Sequence, residues 1–333
     1  MKHTLISILA IILIIFFGFA ATAYRPDLPR EELVAAYTTP ASQFITLPDG
    51  ASAHVRDEGN KAGPALVLVH GSNSSLQTWE PWVKLLGDQY RIISLDLPGH
   101  GLTGAVPNGD YSRDGMVAFV HEITQKLGLT RYAIAGNSMG GGVAAEYAEL
   151  YPNELTGLIL VDAAGIPRTQ GQGDKMPLAF QIARIPVLNK AMRWILPHKI
   201  VEEGVRKTFV DQSKVTPEMV KRYEDLNLCC GNREATGIRF TLPSNDVQVA
   251  ERLGEIRVPT LILWGDKDGL IPVVYAHEYA KRINGSKLII YPNVGHIPME
   301  EVAEQSAQDV RAFLETAVPP ASPVPVTPVT STP

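Results

Sequence analysis

The sequence predicts an α/β fold: a mostly parallel, doubly wound sheet with helices on both faces and a helical cap inserted late in the chain. Three observations carry this. Runs rich in Val, Ile and Leu recur at 65–69, 91–95, 131–135, 156–161, 260–264 and 287–291, apolar on both faces as strands covered on both sides must be. Helix-like segments alternate with them at 76–86, 112–127, 139–150, 273–282 and 301–314. One long interval, about 165–255, breaks the rhythm between the strand ending near Asp162 and the strand beginning at Thr260.

The elements follow in order. Thr4 to Tyr24 holds no charged residue and follows Lys2 and His3. A bilayer span needs roughly 20 apolar residues, so 1–24 reads as a transmembrane anchor. Ala21-Thr22-Ala23 resembles a cleavage site, which keeps a removed signal segment as the alternative. Either way the body of the chain is expected outside the cytoplasm. Residues 25–41 read as a connector with a short helix near 31–37. The globular domain spans 42–317 and opens with a hairpin, 43–47 and 52–56 around Pro48-Asp49-Gly50. The interval 165–255 is too long for a structureless loop and reads as mostly helical, at 187–196, at 199–209, and at Thr216-Pro217-Glu218, where an N-cap precedes an N1 proline. A cap placed there lies over the C-terminal ends of the strands, where open α/β sheets keep their sites. The Pro-rich end, 318–333, reads as an extended, disordered tail.

Composition narrows the partners. With 45% apolar and 20% charged residues the chain can bury a substantial core. Its 30 basic and 35 acidic residues give a net charge of −5. No Lys/Arg run stands out, so a nucleic-acid partner gains no support. The two cysteines are the neighbours Cys229 and Cys230. Adjacent cysteines rarely bridge, so no disulfide framework is expected. No further Cys or His stands at zinc-ligand spacing, and no metal site is expected.

The chemistry is carried by three segments. Gly136-Asn137-Ser138-Met139-Gly140 matches G-x-S-x-G directly after a strand-like run. In such a nucleophile elbow a sharp strand-to-helix turn lifts the serine oxygen out of the sheet, and only small residues tolerate the crowding two positions either side. A serine needs a base, and His296 stands in a loop just after the last strand. The histidine needs a carboxylate to fix its tautomer. Asp268 follows a strand in Trp264-Gly265-Asp266-Lys267-Asp268. Asp266 is the neighbouring alternative and Asp162 the distant one, read here as a solvated strand end or helix cap.

On these residues the chain is similar to the α/β-hydrolase superfamily over 44–314. It resembles the cap-bearing branch of carboxylesterases, proline-iminopeptidase-like enzymes and hydrolases of meta-cleavage products. Val69-His70-Gly71-Ser72, Asp96-Leu97-Pro98-Gly99-His100-Gly101, the elbow, and the acid and histidine loops stand in family order. The resemblance implies an oxyanion hole made by the backbone N–H groups of Ser72 and Met139. It implies a cofactor-independent serine hydrolase for a small-to-medium, mostly apolar ester, with a small-molecule acyl substrate as partner. The alternatives are a carbon–carbon bond hydrolase, a triad-bearing ligand sensor and a perhydrolase. Serine at the elbow, rather than aspartate, argues against dehalogenase and epoxide hydrolase chemistry.

Other candidates weigh less. His70 and His100 read as structural or pocket-lining, and His54, His121, His198 and His277 as surface or packing residues. Trp79, Trp82, Trp194, Phe240 and Met176 are acyl-pocket candidates, with core packing favoured for each. Gly99-His100-Gly101-Leu102-Thr103-Gly104 fits G-x-G-x-x-G, but the helix-breaking Pro107-Asn108-Gly109 follows where a dinucleotide site needs a helix.

Overall fold

The computed structural model describes residues 24–167, 185 and 193–317, with 7 and 18. The strands are β1 (Ser42–Thr46), β2 (Ser52–Gly59), β3 (Ala65–Val69), β4 (Arg91–Leu95), β5 (Tyr132–Asn137), β6 (Leu155–Val161), β7 (Thr260–Gly265) and β8 (Lys287–Tyr291). The helices are α1 (Arg30–Tyr37), α2 (Glu80–Leu86), α3 (Arg113–Lys126), α4 (Met139–Leu150), α5 (His198–Arg206), α6 (Pro217–Asn227), α7 (Asn232–Thr241), α8 (Asp246–Arg252), α9 (Val274–Arg282), α10 (Pro298–Glu301) and α11 (Ala303–Ala317). The strands form one sheet in the order β1-β2-β4-β3-β5-β6-β7-β8. β1 with β2 and β2 with β4 are antiparallel; every other pairing is parallel. The chain leaves β3 for β4 on one side and returns to β5 on the other, so the order reverses beside β3, where ligand crevices form.

Alternate residues of each inner strand feed different cores, as the period of two requires. Val67, Val69, Ile134, Leu160 and Trp264 pack with α3, α4 and α9 through Val120, Tyr147 and Tyr279. Leu66, Leu68, Ala135, Ile159 and Leu263 pack with Trp79, Trp82, Val310 and Leu314. Full burial of one such aliphatic side chain is worth about 1.5–3 kcal/mol. Trp79 and Trp82 are wholly buried here, as core packing predicts, while Trp194 is exposed.

The structure corrects several expectations. The helix expected at 76–86 is a 3-10 turn, Leu76–Trp79, followed by α2. Pro81 in the first turn explains the break, because it has no N–H to continue the earlier turn. The connector is docked rather than free. Leu33 of α1 packs with Leu102, Leu226 and Cys229, and Asp27 pairs with Arg233 at 2.5 Å. Cys229 and Cys230 are bonded to each other, against the expectation from their adjacency. They link no separate segments. Asp162 is fully buried rather than solvated. His121 is part-exposed and His198 and His277 are exposed, but His54 is buried. Among the described residues no helix is long and apolar enough to cross a membrane. The expected anchor, nearly all of the helix at 187–196, Met176 and the 318–333 tail lie outside the described residues.

His54 belongs to a buried hub at the end of β4. Asp96 Oδ2 accepts hydrogen bonds from His54 Nδ1 at 2.7 Å and Leu102 N at 2.9 Å, and Oδ1 accepts one from Leu76 N at 2.7 Å. A Cβ on Gly101, at φ 49°, would overlap this carboxylate, so the second glycine of Gly99-His100-Gly101 serves Asp96. Burial pushes the Asp96 pKa up, but the His54 bond and the Leu76 N–H outweigh it and hold it below the usual value. A depressed folded pKa gives stability above the unfolded value of about 3.9, lost as pH falls through the folded one. Urea unfolding should therefore show an acid limb below about pH 4. Asp96→Asn should cost about 2–4 kcal/mol at pH 7 and weaken that limb; an unchanged midpoint would refute the hub.

Candidate active site

β5 runs into α4 through Ser138, which takes φ 53° and ψ −119°. That backbone region is strained for a residue with a Cβ, and close packing enforces it. A Cβ on Gly136 would overlap the Gly140 carbonyl, and one on Gly140 the carbonyls of Val69 and His70. The Ser138 carbonyl accepts from Gly141 N at 3.0 Å and Ala164 N at 2.8 Å, and Ser138 N donates to Val161 O at 3.0 Å. The main chain is fully engaged while the side chain keeps partial exposure.

The loop after β3 lies against this turn. A Cβ on Gly71 would stand 3.0 Å from Ser138 Cβ. Ser72 follows it, and Met139 is the first residue of α4. Among the described residues neither N–H is taken by another group. Met139 N stands at the N-terminus of α4, where unpaired donors favour negative charge. His70 braces the loop: Nδ1–H donates to Gly71 O at 2.7 Å, and Nε2 accepts from Leu97 N at 3.0 Å. Those partners require the neutral ring, and burial lowers its pKa accordingly. His100 is likewise neutral, pushed well down by burial. Its Nδ1–H donates to Pro98 O at 2.9 Å. Both histidines hydrogen-bond to the loops around them, within the structural or pocket-lining reading of the sequence.

The acid and histidine loops meet beyond β7 and β8. His296 Nδ1 lies 2.7 Å from Asp268 Oδ2. Asp268 Oδ1 accepts from Leu270 N at 2.7 Å and Ile271 N at 3.0 Å. With the carboxylate as acceptor, Nδ1 carries a proton toward Asp268, which leaves Nε2 as the ring nitrogen facing away from that carboxylate. Asp266 turns away and accepts from Asn293 N at 2.7 Å, tying the two loops together without touching the imidazole. Asn137, beside Ser138, donates to His296 O and Val161 O at 3.1 Å each.

Sequence reasoning misread one support, Asp162, and missed three others, Glu301, Asn227 and Arg239. Asp162 places a carboxylate oxygen within 4.8 Å of those of Asp268 and a ring nitrogen of His296. Burial first, and then the Asp268 charge, hold Asp162 well above the ordinary carboxylate range. Glu301 accepts from Gly295 N at 2.6 Å and from Val210 N at 2.8 Å, fastening the histidine loop to the cap. The cap also grips the Ser72 loop: Asn227 Nδ2 donates to Asn73 O at 3.0 Å and Arg239 Nη2 to Ser72 Oγ at 2.5 Å. Only Asp162 carried a local signal, its place at a strand end.

Residues 64–302 match the family described as alpha/beta hydrolase fold. The chain belongs to that family. It is 27% identical to Lipase 1 of Psychrobacter immobilis over 274 residues, 81% of this chain and 82% of that one. Its structure is similar to that of a membrane phospholipase A described as a bacterial virulence factor. The TM-score is 0.68 at 25% identity, covering 95% of this chain and 99% of the other. A meta-cleavage product hydrolase superposes with a TM-score of 0.70 at 22% identity over 83% of this chain and 98% of its own, which shows the shared fold. This hydrolase therefore has the mostly parallel sheet and elbow that its sequence predicted.

The raised pKa of Asp162 carries a sign. A carboxyl group whose folded pKa is raised contributes fully below the unfolded value, and that contribution is lost as pH rises through the folded one. Asp162→Asn, which keeps an acceptor for Gly265 N, should match the wild type near pH 4 and exceed its stability near pH 8. Urea midpoints at the two pH values measure this. A variant less stable at pH 8 than at pH 4, relative to wild type, would show Asp162 ionised in the fold.

Proposed function

We propose that this hydrolase is a serine esterase of lipase type. The observation that carries the reading is the crowded, positive-φ Ser138 at the same C-terminal end of the parallel strands as the His296–Asp268 pair. In this mechanism Ser138 Oγ attacks the ester carbonyl as its proton passes to His296 Nε2. Asp268 holds the imidazolium. The N–H groups of Ser72 and Met139 stabilise the oxyanion. His296 then protonates the leaving alcohol, and water, activated by the same histidine, releases the acid from Ser138.

The lipase and phospholipase relatives support a carboxylic ester of a lipid as substrate. The likeness to a meta-cleavage product hydrolase, at 22% identity, speaks to fold alone, so ester chemistry is preferred over carbon–carbon cleavage. We further propose that 1–24 anchors the enzyme with its catalytic domain outside the cytoplasm. The uncharged Thr4 to Tyr24 stretch supports this, as does the length shared with a protein described as a membrane phospholipase.

A fluorophosphonate probe should label Ser138, and Ser138→Ala should abolish labelling and lower kcat by a factor on the order of 10⁶. Adding His296→Ala should cost little more, because these residues act as a unit. Undiminished labelling of Ser138→Ala would place the nucleophile elsewhere. In fractionation the full chain should resist carbonate extraction from membranes, and a chain lacking 1–24 should not. A mature protein beginning at Tyr24 would overturn the anchor.

A further inference from the structure

The proposed mechanism leaves one charged side chain at the site without a task. Arg239, on α7 of the cap, donates from Nη2 to Ser72 Oγ at 2.5 Å and stands over the Phe240 ring, 4.5 Å from its centroid. Its Nε is buried without a hydrogen-bond partner. The neighbouring cap cations are paired, Arg193 with Glu234 at 2.9 Å and Arg233 with Asp27 at 2.5 Å. Among the described residues Arg239 has no such carboxylate. Burial pulls its pKa down to about 10, which leaves it charged at neutral pH. His100, whose pKa Arg239 helps to depress, is neutral there and so is no counter-ion. A half-dry cation without an anion carries an uncompensated desolvation cost, and a guanidinium is shaped to meet carboxylate or phosphate. Arg239 keeps partial exposure, and its partner Ser72 belongs to the loop that touches Ser138.

We propose that Arg239 is an anion subsite beside the Ser72 loop, and that the preferred acyl substrates carry a carboxylate or phosphate close to the scissile ester. The proposal rests on the serine-esterase reading for its placement. The oxyanion itself is assigned to the N–H of Ser72, whereas Arg239 meets the Ser72 side chain. The two roles therefore separate: help to the oxyanion would aid every ester, and a subsite aids only anionic ones.

Two matched pairs test it with the full chain in detergent. The first compares a 1-acylglycerol 3-phosphate with the monoacylglycerol of the same chain. The second compares the p-nitrophenyl monoester of adipic acid with p-nitrophenyl hexanoate. Wild type should favour the anionic member of at least one pair, and which pair identifies phosphate or carboxylate. Arg239→Gln should cut the anionic-to-neutral ratio of kcat/KM by roughly 10–100-fold. No preference in either pair overturns the subsite. So does an equal loss on both members, which would leave Arg239 with no role beyond its support of the Ser72 loop. If Ser138→Ala still hydrolyses these esters, or wild type hydrolyses none, the serine-esterase reading fails. Calorimetric titration of inorganic phosphate and adipate then decides the subsite. Binding to wild type that weakens at least tenfold in Arg239→Gln supports it, and a wild type that binds neither anion overturns it without need of a variant.

Discussion

The close approach of β5 to α4 is the constraint on which the site depends. Gly136 and Gly140 meet with no room for a Cβ, and the chain turns so sharply between them that Ser138 must take φ 53°. A helix opening with Gly140, Gly141 and Gly142 gives up propensity, about 1 kcal/mol per glycine against alanine. Each position repays it with contact: Gly140 on the carbonyls ending β3, Gly141 on Ala163, Gly142 on the Ala164 carbonyl at 2.8 Å from a would-be Cβ. The elbow is thereby fixed to β3 on one side and to the segment after β6 on the other. The Ser72 loop inherits its position from the first contact, and Asp162 lies at the second.

The same device recurs at the other half of the site. A Cβ on Gly265 would overlap the carbonyls of Val294 and Gly295, and one on Gly295 the Thr208 carbonyl. The acid loop thus rests on the histidine loop, and the histidine loop on the cap. His296 N donates to Thr208 O at 2.8 Å, and Glu301 holds Gly295, Val210 and Asp211 through one carboxylate. With Asn227 and Arg239 on the Ser72 loop, the cap touches both ends of the reacting geometry. A shift of its helices would reach the Ser72 loop and the His296 loop together, so the cap is a structural part of the site as well as its roof.

The sheet and the positions of Ser138, Asp268 and His296 were legible because their signals are local. Buried parallel strands read as unbroken apolar runs, the elbow needs glycines at fixed offsets, and Asp268 and His296 stand just past strand ends. The supports were not legible, because each is made by residues far apart in sequence. His54 reads as an ordinary strand histidine until β2 pairs with β4 and sets it on Asp96, 42 positions away. Arg239 carries no signal of its own in the sequence until α7 lands on Ser72, 167 positions away. The cysteine pair failed for a different reason. Adjacency argues against bridging only as a general tendency, and Cys230 takes φ 52° beside its partner.

Asp162 shows how such a support decides chemistry. Burial first, and then the nearby Asp268 charge, hold the Asp162 carboxyl well above the ordinary carboxylate range. The donors around the two carboxyl groups differ. Asp268 receives three, from Leu270 N, Ile271 N and His296 Nδ1. Asp162 receives one, from Gly265 N at 3.0 Å, and its Oδ2 is buried without a hydrogen-bond partner. Each N–H aimed at a carboxylate favours the charged form, and Asp162, fully buried with one such donor, is the carboxyl held toward its neutral form. Asp268 is the one that faces the imidazole, with Oδ2 2.7 Å from His296 Nδ1. The strand end that sequence alone offered as a rival acid thus has the fewer donors, and its burial favours the proton.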